Sequence, residues 1–263
     1  MQTLLMAWLL AAQLDKPPEF SRAPGFQKSQ LDVAIDSAAH TSGQKSESAK
    51  WMVKSLAQWP RSLADAENAS WQGAMALLGR GALADAAAAF AKGTREFPAH
   101  VRQHAGYAAV VYAQGQYERA AAILVAAAQR HPKEVRLAPY LVDVLDADAR
   151  VRPVLKAWAE AFPQNAEAQW AYGVALMESA PALAEKRWQE AVKLSRGGDG
   201  RPLLALAKLA QGDLKKSMAF LMGAVQADPE SAEAHYRLAM AYRQLGDGEK
   251  AAGHMARYKA LKR

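Results

Sequence analysis

Pro98 and Pro132 stand 34 residues apart, and the residues before and between them recur at the same interval. Counted from residue 67, a first unit places Ala74 at position eight, Gly81 at fifteen, Ala86 at twenty, Phe90 at twenty-four and Pro98 at thirty-two. Counted from residue 101, a second unit places Ala108, Gly115, Ala120, Leu124 and Pro132 at the same five positions. This period constrains the fold more than any other feature. It is the length of one helix–turn–helix unit, which cannot bury its apolar stripe alone and must stack on its neighbours. The glycine marks the turn inside the unit, and the proline marks the end of its second helix. Small residues at eight and twenty let the two helices approach closely, and the large residue at twenty-four fills the gap to the next unit.

Four further units follow. The third, 135–165, ends at Pro163, is three residues short and lacks the turn glycine, so its VLDADARVRP stretch is expected to turn irregularly. The fourth, 166–197, carries AEAQWAYGVAL, then Ala184, Trp188 and Ala191, and ends in the loose GGDG run at 197–200. The fifth, 198–231, has Leu204, Ala205, Gly212, Leu221, Ala224 and Pro229. The sixth, 232–263, reads AEAHYRLAMAYRQLGDGEKAAGHMARY, with Tyr236, Leu238, Ala239, Tyr242, Gly246 and Ala251 in place. An ordinary alanine-rich bundle would not hold these residues at a near-constant period.

The sixth segment closely resembles the tetratricopeptide repeat, and the other five align with it. The resemblance implies an all-α fold, a right-handed superhelical α-solenoid whose concave face is lined by positions two, five, nine, twelve and thirteen of each first (A) helix. Carried over residue by residue, unit one contributes Trp71, Met75 and Leu78, and unit two Arg102 and Tyr112. Unit three contributes Arg136 and Asp143, and unit four Glu167, Trp170, Val174 and Met177. Unit six contributes Glu233, Tyr236, Met240 and Arg243. The partner-binding set is thus Trp71, Met75, Arg102, Tyr112, Trp170, Met177, Tyr236, Met240 and Arg243, residue types enriched at interaction hot spots. For Trp71, Trp170 and Tyr236 the competing reading is packing against the adjacent A helix. The groove as a whole suits an extended or helical peptide. Relatives that grip acidic chaperone tails use lysine and asparagine where this chain has Trp71, Met75 and Gly106, so that clamp is absent.

Composition agrees with a thin, distributed core. Of 263 residues 60 are alanine, within a hydrophobic fraction of 51%. Without cysteine there is no disulfide, thiolate metal site or cysteine nucleophile. The chain carries 33 Lys and Arg against 26 Asp and Glu, and from Arg243 to Arg263 six bases face two acids. Lysines and arginines late in a last helix complement its dipole; a dedicated anionic partner is the alternative.

The N-terminus reads differently. Residues 4–12, LLMAWLLAA, form a nine-residue apolar run too short to span a bilayer. With Ala11 and Ala12 behind it, the run fits the core of an export signal over 1–13, although no Lys or Arg precedes it. A hydrophobic first helix is the other reading, and it would leave the protein cytoplasmic rather than periplasmic or secreted. Residues 14–47, rich in Pro, Ser and Gln, are expected to be a mobile leader with at most a short helix at 31–39. Residues 48–66 return to helical spacing with Trp51, Met52, Leu56 and Trp59, up to Pro60.

Signatures of catalysis are scarce. His100 and His104 have metal-ligand spacing but no acidic ligand follows locally. Asp143, Asp146 and Asp148 lack the glycine and terminal glutamate of a calcium loop. Asn68 reads as a helix cap rather than a glycosylation site. The expectation is a non-catalytic scaffold without metal or cofactor that holds a protein or peptide partner in its groove, in envelope assembly or secretion. The alternatives are a basic-surface binder of nucleic acid or an anionic envelope polymer, and a regulatory subunit of an enzyme complex.

Overall fold

A computed structural model describes residues 28–42 and 46–261. The signal read at 1–13 and the leader as far as residue 27 lie outside the described residues. Two helices come first, α1 (Lys28–Ser42) and α2 (Ser46–Ser55), with a 3-10 turn at Leu56–Gln58. Six hairpins follow. They are α3 (Asp65–Gly79) with α4 (Leu83–Glu96), and α5 (Val101–Ala113) with α6 (Tyr117–Arg130). The third joins a 3-10 turn at Val135–Leu137 and α7 (Ala138–Asp143) to α8 (Val151–Ala161). The last three are α9 (Ala166–Leu176) with α10 (Pro181–Leu194), α11 (Gly200–Leu209) with α12 (Leu214–Ala227), and α13 (Ala232–Gln244) with α14 (Gly248–Leu261). Successive hairpins stack into an all-α solenoid, and the described residues contain no strand.

The repeated residues explain the stacking. Gly81, Gly115 and Gly246 turn between A and B helices at φ of 73°, 79° and 76°, a region that disfavours any Cβ. Ala74, Ala86, Ala108 and Ala120 are all fully buried at the A–B contact. Phe90 packs on Gly106 of the following unit, Trp188 packs on Gly173 of its own hairpin, and both are buried, as is Leu124. The approach is close at Gly106 and Gly173, where a Cβ would lie 2.4 Å from the rings of Phe90 and Trp188 respectively.

Between units, the carbonyl of the loop proline meets a ring nitrogen. Pro132 O accepts from Trp158 Nε1 at 2.8 Å, and Pro229 O lies 3.1 Å from His235 Nε2. Pro98 O lies 3.2 Å from His131 Nε2 and 3.4 Å from His104 Nε2. A carbonyl only accepts, so each hydrogen-bonded histidine nitrogen carries the proton.

Three local expectations change. The leader expected to be mobile is helical over Lys28–Ser42, because Leu31 and Ile35 sit one helical turn apart and are 2% and 0% exposed. The third hairpin has a curtailed A helix followed by irregular turns from Val144 to Arg150. The GGDG run is no mere connector: the Asp199 side chain accepts from Arg201 N and caps α11.

Candidate partner-binding groove

Residues 28–42 and 46–59 form a strap that lies across the A helices of the first three units. Helix α2 packs along α5, whose expected groove positions Ala105, Ala109 and Tyr112 are 0%, 0% and 1% exposed. Tyr112 is therefore a correction: it belongs to the interior, and burial pushes its phenol well up from the usual tyrosine range. The strap is pinned on the third unit by Tyr140. Ser55 Oγ and Trp59 Nε1 each lie 2.8 Å from the Tyr140 hydroxyl. Ser55 gives its own proton to Met52 O at 2.8 Å, so Tyr140 donates to Ser55 and accepts from Trp59. Trp51 completes the cluster, its ring centroid 5.6 Å from that of Tyr140.

An arginine stacked on a tryptophan recurs at the second residue of A segments. Arg102, 6% exposed, lies over Trp71 at 5.0 Å and donates through Nε to the fully buried Glu67 at 2.8 and 3.0 Å. Its remaining donors reach Glu67 again, Asn68 Oδ1 at 2.5 Å and Pro60 O at 2.9 Å. Burial pushes the Glu67 carboxyl up, but hydrogen bonds from Arg102 and Gln103 and the Arg102 charge outweigh it and hold it below the usual range. Arg102 and Trp71, with its edge against Phe90 at 5.3 Å, are thus structural, which corrects their expected place in the partner-binding set. Asn68 does not cap a helix end either. It lies inside α3 and ties Ser62 to Arg102.

Arg136 lies over Trp59 at 4.8 Å and donates to Glu134 from Nε at 2.6 Å and Nη2 at 2.7 Å. Arg201 lies over Trp170 at 4.2 Å and donates from Nη1 and Nη2 to the two Glu167 oxygens, each at 2.8 Å. Asp199 adds bonds to the same guanidinium, so that burial opposes its charge but the two carboxylates raise its pKa above the usual arginine value. Trp170, 8% exposed, lies beneath this arginine rather than open to a partner.

Between the strap and units three to five runs a cleft of about 970 Å³. Trp59, Arg136, Tyr140, Phe162, Arg201 and Leu204 form its principal surfaces. A smaller branch of about 210 Å³ continues past Trp59 and Arg136 toward the start of α5. None of the nine expected residues lines the larger cavity. Met75 and Met177 are half-buried against the core. Tyr236, Met240 and Arg243 gather on the last hairpin, where Tyr236 is 43% exposed and contacts Tyr258 at 5.2 Å. His100 and His104 do not converge on one point. His100 Nδ1 lies 3.2 Å from Ser62 Oγ, and His104 turns to Pro98.

Two family descriptions, both reading tetratricopeptide repeat, match residues 72–135 and 208–263. The chain carries tetratricopeptide repeats in both of these segments. Its array is similar to the solved structure of PilF from Pseudomonas aeruginosa, with TM-score 0.54, 18% identity, and coverage of 75% of this chain and 92% of that one. It is similar to a chain of the Cut9–Hcn1 hetero-tetramer, with TM-score 0.56, 15% identity, and coverage of 89% and 44%. Yeast Tom70 gives TM-score 0.50, 16% identity, and coverage of 98% and 65%. At these identities the likeness is one of fold. No curated protein sequence matches the chain. The tetratricopeptide array supports a protein–protein interaction scaffold as the class of function.

Proposed function

We propose that the protein is a non-catalytic scaffold that holds an extended segment of a protein partner in the cleft between its strap and units three to five. The supporting observation is the cleft itself. Its aromatic and aliphatic surfaces lie beside two arginines, each held flat on a tryptophan by carboxylates. Apolar surface with a few fixed polar groups is the usual build of a binding site, and rigid side chains lose little entropy when a partner arrives. We read the 1–13 segment as an export signal, which would place that partner in the envelope or outside the cell.

The test is crosslinking in the native host with wild type and with Leu204→Arg, which puts a charge into the cleft. Partners captured by wild type and lost from the variant support the reading. An unchanged set of partners overturns it, and a steep fall of affinity with salt would point instead to the basic stretch at 243–263. Export is checked by N-terminal sequencing of the host-derived protein, where a sequence beginning at Met1 ends that reading.

A further inference from the structure

We infer that the smaller branch of the cleft recognises an acidic side chain within the bound segment, an inference that rests on the groove reading above. Arg61, Arg102, Arg136 and His100 line this branch, and Glu134 is the one carboxylate among its lining residues. The charges are unevenly compensated. Arg102 is matched by buried Glu67. Arg136 spends Nε and Nη2 on Glu134, which leaves Nη1 without a hydrogen-bond partner among the described residues. Arg61 is exposed and has no ion-pair partner among the described residues. Lys133, exposed where the wider cavity begins, likewise has none. Two cations without counter-charges therefore flank a cavity whose walls are protein, an arrangement that focuses attraction on an anion.

The wider cavity decides which anion. It is lined by Tyr140, Phe162 and Leu204, and its carboxylates (Glu134, Glu167, Asp199 and Asp228) outnumber its cations (Lys133, Arg136 and Arg201), with Arg201 held by Glu167 and Asp199. A nucleic acid or other polyanion finds no net positive surface there, whereas a peptide with one carboxylate and apolar neighbours meets complementary surface in both cavities. Both cavities share Trp59, Glu134 and Arg136, so a chain lying in one continues past Arg136 into the other. That continuity favours an internal aspartate or glutamate over a chain terminus.

The experiment is selection of short random peptides displayed on phage against the full chain. The parallel targets are Arg61→Ala/Lys133→Ala and Leu204→Arg. Wild type should enrich peptides with Asp or Glu at one position beside apolar residues. Replacing that acid by its amide should weaken binding about fivefold in wild type and leave the double variant indifferent. Enriched peptides without a preferred acid, or an acid preference that survives in the double variant, overturn the inference. If those peptides still lose binding to Leu204→Arg, the groove reading stands without it. Peptides indifferent to Leu204→Arg, or no enrichment at all, overturn both.

Discussion

Arg201 and Glu167, 34 positions apart at the second residue of α11 and α9, are joined by two parallel hydrogen bonds of 2.8 Å across the boundary between units four and five. The guanidinium plane also covers Trp170, so one side chain links two helices and seals an aromatic ring. Arg201→Lys keeps the charge and loses both the fork and the plane. We expect a loss of about 1 kcal/mol in urea denaturation and a red shift of tryptophan emission as Trp170 gains water. An unchanged midpoint and spectrum would show that the pair contributes nothing.

The Glu67–Arg102 pair is buried, and its removal should cost more. Glu67→Gln leaves the Arg102 charge uncompensated, with an expected loss of about 3 kcal/mol. The folded carboxyl titrates below its unfolded value. Its stabilisation is therefore complete above the ordinary carboxylate range and lost as pH falls toward the folded pKa. Wild type should show this acid-side loss in denaturant midpoints, and Glu67→Gln should show less of it.

Glycines test the packing in both directions. Gly173→Ala drives a methyl into the Trp188 ring, whose Nε1 now donates to Trp170 O at 3.2 Å, and should cost about 1–3 kcal/mol. Gly73, inside α3, has nothing within 4 Å of a built Cβ. Gly73→Ala should therefore stabilise by about 0.5–1 kcal/mol. Thermal melts of the two variants should move in opposite directions.

The last hairpin should respond to mild acid. His235 Nδ1 and His254 Nδ1 lie 3.0 Å apart, and Tyr242 stacks on His254 with its plane 8° away. Since His235 Nε2 carries its proton toward Pro229, His254 supplies the shared one from Nδ1, and a further proton goes to His254 Nε2 and puts a positive charge into this partly buried contact. Burial and then the neighbouring His235 lower the His254 pKa. Its stabilisation is complete above the ordinary histidine value and fades below it. Amide exchange in α14 should quicken between about pH 7 and pH 5.5, and His254→Gln should flatten that dependence.

Tyr140→Phe removes the hydroxyl shared by Ser55 and Trp59. We expect about 1 kcal/mol of destabilisation, with faster amide exchange over residues 46–58 than in α9. Equal exchange in both regions would show that the strap does not depend on this contact.

The repeat was legible because its signals are local: Gly81, Ala86, Phe90 and Pro98 each act within one hairpin or on the next. Tyr112 was not, because its cover comes from α2, about sixty residues earlier in the chain. A groove read from A-helix positions assumes that nothing already lies on them. Trp59 has no position in any unit, so no alignment of units brings it to Tyr140. Arg201 fell at position four when the fifth unit was counted from 198. Its helix starts at Gly200, and this shift brings it beside Glu167. The leader concealed Leu31 and Ile35, since two apolar residues in a polar stretch gain meaning only from the face they meet.

The strap also changes how the array comes apart. A plain stack of hairpins touches only its neighbours and can melt one unit at a time. Here Ser55 and Trp59 reach a residue 85 and 81 positions away, and one continuous core runs from Leu31 to Leu206. Units five and six add two small separate clusters. Loss of the first hairpin exposes the strap, and loss of the strap exposes the second and third. The N-terminal part therefore melts as one cooperative block, while the last two hairpins can open and close beside it.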